Sequence, residues 1–290
     1  MNTKLKNIVD SIYKTNTSYA YPSHAMTQAA SLKSLSSDLY TDSKRFIYEL
    51  LQNADDSSVN GQLVDVEIIL FNNKLVVAHN GKSFDESDLK GICGIDDGTK
   101  KLSIEKTGYK GIGFKSVFGQ SDKVTIFSDK EYFKFDATHN FGWSKEWDST
   151  QKEWETVNNR NFLHPWQIIP IYTSKEEIDH NIQTFLNDNW NVATIIELFK
   201  KDDVTHAIEE LSSNANMFLF LKNINRIKFT TNETVEIFID RKIINEYTLY
   251  KNKKIKSQWR IKTIHLEVTD ELKSSLRNER NIPDKLMQTD

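Results

Sequence analysis

Residues 42–57 read DSKRFIYELLQNADDS, and this stretch decides the fold. Phe46, Ile47, Leu50, Leu51 and Ala54 fall on one face of a helix, with Asp42 or Ser43 in the capping position. At about 100° per residue, Glu49, Asn53 and Asp56 lie within roughly 60° of one another on the opposite side. That face presents a carboxylate, a carboxamide and a second carboxylate. A solvated helix surface accounts for such a pattern in most proteins, so its meaning depends on what surrounds it.

Immediately downstream, Leu63–Phe71 (LVDVEIILF) and Lys74–Ala78 (KLVVA) read as two strands joined at Asn72-Asn73, a pair that tolerates the positive φ of a tight hairpin. The second strand runs into His79-Asn80-Gly81-Lys82-Ser83-Phe84, a turn able to bring side chains and backbone up to a flat ligand. Glycine is scarce, 10 of 290 residues against an average of about 7%. All ten fall between Gly61 and Gly142, and Gly108, Gly111 and Gly113 sit in TGYKGIGFKS (residues 107–116). Clustered glycines mark backbone that approaches a ligand closely, and a phosphate is the natural candidate. The segment is not a P-loop, because Phe114 intrudes between Gly113 and Lys115. Nor is it a dinucleotide fingerprint, since its spacing is G-x-x-G-x-G after a polar run.

Composition narrows the remaining classes. With 38% hydrophobic, 27% charged and 11% aromatic residues, the chain is expected to be a soluble globular protein with a sizeable core. The N-terminus lacks an apolar h-region, and no apolar run is long enough to span a bilayer, so a cytoplasmic protein without membrane attachment is the default expectation. The single cysteine, Cys93, has no partner for an internal disulfide, and the seven histidines form no cluster at ligand spacing. A net charge of −3 gives no global drive toward nucleic acid.

The order E-x-x-x-N on a helix, a strand ending in x-N-G, and G-x-x-G-x-G opening another helix resembles the GHKL ATPase superfamily. The strings DLYTDSKRFIYELLQNADD (38–56), HNGKSF (79–84) and TGYKGIGFKSVF (107–118) are similar to the Hsp90-like ATPase domains of the sacsin and NO VEIN-like type. The resemblance implies a Bergerat fold: an α/β two-layer sandwich with a mixed sheet, helices on one face and a glycine-rich ATP lid. It implies ATP and Mg²⁺ as cofactors. Glu49 would be the general base that orients water, Asn53 the Mg²⁺ ligand and Asp56 a further acidic residue lining the pocket. Gly108, Gly111 and Gly113 would form the lid hinge and phosphate cradle, with Phe114 beside them. Lys100 and Lys115 are counted among the cations near the phosphates, Lys101 and Lys110 being further neighbours in sequence. Where most members carry D-x-G-x-G to hold adenine, this chain has His79-Asn80-Gly81-Lys82-Ser83, so a neutral imidazole or the Asn80 carbonyl would take the amino group. Asn191–Leu198 (NVATIIEL) looks like the late strand that reaches the adenine edge, with Thr194 supplying the hydroxyl.

In that reading ATP binding, hydrolysis and lid closure with homodimerisation form a conformational switch, with chaperone-like or phage-defence roles as fold-level analogies. A non-hydrolysing nucleotide-binding module of a larger assembly is the alternative. A sensor kinase is disfavoured, since no histidine stands in a phosphoacceptor context.

The remaining segments complete an α/β pattern. Lys4–Tyr13 and Met26–Leu39 read as helices broken around Pro22, and 122–128 with 131–136 as a hairpin. Residues 137–165 read as irregular, with Trp143, Trp147 and Trp154 pinning a loop to its own domain. Ile178–Trp190 and Val204–Leu221 read as helices, and Ile224–Thr230 and Thr234–Ile239 as strands. Residues 1–240 are expected to form the ATPase domain and 241–290 a C-terminal extension. Tyr250–Lys262 (YKNKKIKSQWRIK) carries six positive charges with interleaved aromatics. It reads as a solvated strand or hairpin face, with a nucleic-acid contact as the sharper alternative.

Overall fold

The structure, a computed structural model, describes residues 4–38, 44–94, 113–243, 245–262, 269 and 271. The expected cap residues Asp42 and Ser43 lie outside these. The helix itself, α3 (Arg45–Asp56), buries Phe46, Ile47, Leu50, Leu51 and Ala54, the predicted apolar set, together with Asp55. Each large aliphatic or aromatic side chain so buried contributes about 1.5–3 kcal/mol.

Among the described residues α3 packs against a ten-stranded mixed sheet of order β10-β9-β8-β7-β1-β2-β6-β3-β4-β5. The strands are β1 (Val64–Phe71), β2 (Lys74–His79), β3 (Lys123–Ser128), β4 (Glu131–Asp136), β5 (Ile171–Thr173), β6 (Val192–Glu197), β7 (Ile224–Thr230), β8 (Thr234–Ile243), β9 (Glu246–Lys251) and β10 (Lys254–Arg260). Among the described residues only β1 and β7 pair parallel, Ile68 standing opposite Phe229. The expected hairpins form at Asn72 (φ 54°) and at Asp129-Lys130 (φ 48° and 69°). The chain therefore has the α/β class expected of it.

Alternation along the strands gives the sheet two different faces. Val66, Ile68, Leu75, Val77, Val124, Ile126 and Ile196 join the main core under α3 and α7 (Lys201–Ser213). Val76, Ala78, Phe127, Ala193 and Ile195 point the other way and meet Ile182 and Leu186 of α6 (His180–Leu186). Helices on one face alone, as a two-layer sandwich requires, is thus corrected. The apolar residues of β2 and β6 on the far face need a cover, and α6 provides it.

The two N-terminal helices, α1 (Lys4–Thr17) and α2 (Pro22–Asp38), complete the cap. Pro22 opens α2 at the position where its missing N–H costs nothing. Leu5, Val9 and Ile12 of α1 enter the main core, beside α4 (Glu86–Cys93). The segment read as irregular contains one helix, α5 (Gln151–Asn158), closed by a Thr150/Glu153 capping box. Its T-x-x-E signature was present in the sequence. Trp143, Trp147, Trp154 and Phe162 gather against Ala25 and Met26 of α2, the pinning role expected of the tryptophans. The long helix expected at Val204–Leu221 divides at Asn214 into α7 and a 3₁₀ turn, Ala215–Phe220. The domain boundary expected at residue 240 falls inside β8, and β9 and β10 continue the same sheet.

Candidate functional site

The polar side of α3 is brought against the start of the 3₁₀ turn Gly113–Gly119. A Cβ on Gly113 would lie 2.0 Å from Glu49 Oε2, so only glycine lets the carboxylate rest there. Glu49 is half-buried, and desolvation raises its pKa above the ordinary carboxylate value, with the Arg45 guanidinium opposing. Asn53, also half-buried, lies one helical turn on, and Asp56 ends the helix. Glu49 and Gly113 are therefore brought together, with Asn53 one turn further along the side of α3 that the sequence singled out.

At the end of β2, His79 is buried and burial pushes its pKa down to about 4. Its Nδ1 accepts from the Gly81 N–H at 3.3 Å and stands 3.3 Å from Ser57 Oγ, whose proton goes to the Ala54 carbonyl. The neutral ring with Nδ1 as acceptor carries its proton on Nε2. His79 thus offers a donor where an acceptor for an amino group was expected. The difference arises because Gly81 folds back onto the ring, close enough that a Cβ there would strike Ser57 Oγ at 1.8 Å.

Asn80 is likewise used as a brace. Its Oδ1 accepts from the Asp65 N–H at 2.8 Å, and Asn191 Nδ2 donates to the carbonyls of Asn80 (2.8 Å) and Gly81 (3.0 Å). The Lys82 N–H donates to the Ser57 carbonyl at 2.9 Å, closing the turn onto the end of α3. A cleft of about 150 Å³ beside the turn is lined by Ser58, Gln62, Asn80, Lys82 and Asn191 among others. It is smaller than the roughly 300 Å³ at which small-molecule pockets begin, and neither Glu49 nor Asn53 lines it. Thr194 is buried in β6 between Val77 and Ile126, on the face of the sheet that α3 covers.

Two expectations are corrected. Lys115 is buried, and its ammonium donates to the carbonyls of Ile92 and of Gln167 (3.1 Å for the latter). It satisfies a carbonyl left open at the end of α4 instead of facing a phosphate, and burial lowers its pKa to about 8. Phe114 is a core residue, edge-on to Phe118 at 5.8 Å and tilted against Phe135 at 6.3 Å. In a 3₁₀ turn packed between α2 and α3, consecutive side chains point inward, and these two went with them. Lys100, Gly108 and Gly111 lie outside the described residues.

The sequence reading passed over Asp55. Its carboxylate accepts from the N–H groups of Lys222 (3.0 Å), Asn223 (2.6 Å) and Ile224 (2.9 Å), and its carbonyl accepts from Asn223 Nδ2. From the other side Arg241 donates to the carbonyls of Ile224 and Leu221, each at 2.6 Å. The start of β7 is clamped between α3 and β8. A signal existed: on the helical wheel Asp55 stands about 40° from Leu51, toward the buried side.

A long mixed sheet and a helix whose polar face meets the turn at Gly113 define an α/β protein, with a candidate site beside α3. The chain belongs to the sacsin domain family, which it matches over residues 29–238. It is 40% identical over 108 residues to Protein NO VEIN of Arabidopsis thaliana, covering 37% of this chain and 4% of that protein. It is 30% identical over 105 residues to human sacsin, covering 32% of this chain and 2% of that one. The chain thus corresponds to a small fraction of either relative's length.

Proposed function

We propose that the site between α3 and the Gly113 turn binds ATP with Mg²⁺ and hydrolyses it, in the manner of a GHKL ATPase. The observation that carries this reading is the carboxylate of Glu49 resting on Gly113. A side chain at that position would fill the space into which the acid reaches. The residues present fit the nucleotide-metal group: a half-buried amide at Asn53 as the ion's protein ligand, and a carboxylate one turn away. When bound, Mg²⁺ supplies charge neutralisation on the phosphates.

Glu49 accepts a hydrogen bond from the attacking water, and its raised pKa makes it a stronger base than an exposed carboxylate. Buried Thr194 and the Nε2–H of His79 shape the base-binding end, donor and hydroxyl replacing the usual acidic acceptor. Lid closure by residues around Gly108 and Gly111, coupled to dimerisation, would make nucleotide occupancy a switch. A second reading, nucleotide retention without turnover, is favoured by the diversion of Lys115 to the Ile92 and Gln167 carbonyls.

Calorimetry with Mg²⁺ and a non-hydrolysable ATP analogue, run beside phosphate release from ATP, tests both. Asn53→Ala abolishes Mg-ATP binding; Glu49→Ala leaves binding intact and stops release. Release falls as pH drops through the Glu49 pKa, which lies above the ordinary value for glutamate because the acid is desolvated. Normal release by Glu49→Ala removes it as the base. Binding without release in the wild type selects the second reading, and no binding of any nucleotide overturns the proposal.

A further inference from the structure

Among the described residues the β9–β10 hairpin forms one edge of the sheet, turning at Asn252-Lys253 with φ of 48° and 65°. Between Tyr247 and Lys262 it holds Lys251, Lys253, Lys254, Lys256, Arg260 and Lys262, with no acidic residue, in a chain of net charge −3. Arg260 pairs with Glu246 at 2.7 Å. Among the described residues the five lysines have no ion-pair partner, and four of them are exposed. Trp259 is 45% exposed beside them.

The indole is held in place. Its Nε1–H donates to Ser257 Oγ at 2.8 Å, and Ser257 Oγ donates in turn to Asn216 Oδ1 at 3.1 Å in the 3₁₀ turn Ala215–Phe220. The ring is therefore oriented by a relay that begins outside the hairpin. Register places Trp259 opposite Tyr247, Ser257 opposite Leu249 and Lys254 opposite Lys251. Leu249 belongs to the core that α3 covers, so Trp259, Ser257, Lys254 and Lys251 share that face beyond the helices. Trp259 and Lys254 lie about 15 Å apart along it.

We propose that this hairpin binds single-stranded nucleic acid, a base stacking on Trp259 while Lys251 and Lys254 on the same face, Lys253 at the turn and Lys256 at the bulge meet the phosphates. A fixed aromatic platform beside unpaired cations is the combination that binds bases and backbone without sequence preference. Other partners fit less well. Lysines and the register shift between Ile255 and Ser257 oppose the addition of a further strand. The exposed apolar groups, Ile255 and Trp259, lie on opposite faces, so no single apolar surface is offered to a lipid headgroup layer. Edge protection accounts for lysines alone and leaves an oriented, exposed tryptophan without a purpose. The proposal stands independently of the nucleotide reading.

Fluorescence anisotropy of labelled oligo-dT with the full chain tests it, with heparin as a base-free polyanion and anionic phosphatidylserine vesicles as a lipid surface. Oligo-dT binds, with a log–log salt slope of about −3 for four phosphate contacts. The double variant Lys254→Glu/Lys256→Glu abolishes binding, and Lys254→Ala/Lys256→Ala shallows the slope by about 1.4. Trp259→Ala weakens oligo-dT binding by about 5- to 150-fold and leaves heparin unchanged, while Trp259→Phe retains most of it. Circular dichroism confirms that each variant is folded. Absence of oligo-dT binding at low salt overturns the proposal. So does equal loss of oligo-dT and heparin on Trp259→Ala, or preference for vesicles over oligo-dT.

Discussion

The α3 site and the β9–β10 edge are both rich in charge, and they use it in opposite ways. Around α3 four ionisable groups are pressed against backbone: Asp55 on three N–H groups, Lys115 on two carbonyls, His79 on the Gly81 N–H and Glu49 on Gly113. Burial shifts the pKa of Glu49 upward and those of His79 and Lys115 downward. On the hairpin the lysines stay in water, where attraction is screened and acts through number and spacing. Each of these four groups around α3 is held in one fixed geometry; a charge on the hairpin is exchangeable with its neighbours.

Removing single carboxylates and cations is the sharpest way to break that contrast. Asp55→Ala leaves three backbone N–H groups without their acceptor and costs about 3–5 kcal/mol in urea unfolding. Arg260→Ala, which removes an exposed pair of similar length, costs under about 0.5 kcal/mol. Equal losses from the two would erase the distinction.

Acid gives a somewhat smaller effect. The unfolded His79 titrates near 6.5 and the folded one near 4, so between those values the unfolded chain holds the extra proton. Stability therefore falls as pH drops through this window, by on the order of 3 kcal/mol from this residue. His79→Asn, which retains an acceptor for Gly81, flattens that part of the stability–pH curve. A variant that follows the wild-type curve would show that His79 is protonated without cost.

The smallest effect is expected at Lys115. Held on the Ile92 and Gln167 carbonyls, it is not expected among the phosphate contacts of the proposed site, so Lys115→Met should change the affinity for the ATP analogue by less than about twofold, whatever it does to stability. A tenfold loss in calorimetry would return Lys115 to the phosphate and reverse the correction made from the structure.

These cases also show where the sequence was legible. The apolar face of α3, both hairpin turns and the α/β class followed from local periodicity, because burial against any sheet demands the same spacing. The juxtaposition of Glu49 and Asn53 was legible for the same reason, being fixed within one helix. Asp55 went unread because its partners, residues 222–224, are far away in the chain; its place on the helical wheel marks it as turned toward the buried side but does not name them. Lys115 and Phe114 were misread because proximity in sequence to glycines was taken as proximity to a ligand. The 3₁₀ turn sends both side chains inward.

By itself, then, the sequence determined which faces are apolar and which residue types could do phosphate chemistry, since these depend on short-range periodicity and on side-chain identity. Only the tertiary structure decided the rest: that Gly113 receives the Glu49 carboxylate, that His79 presents a donor, that Asp55 and Arg241 clamp β7, and that Trp259 is held by Ser257 and Asn216. Each of those depends on a hydrogen bond or a close approach between distant segments. Such contacts are set by packing geometry to within a few tenths of an ångström, a precision that no local pattern encodes.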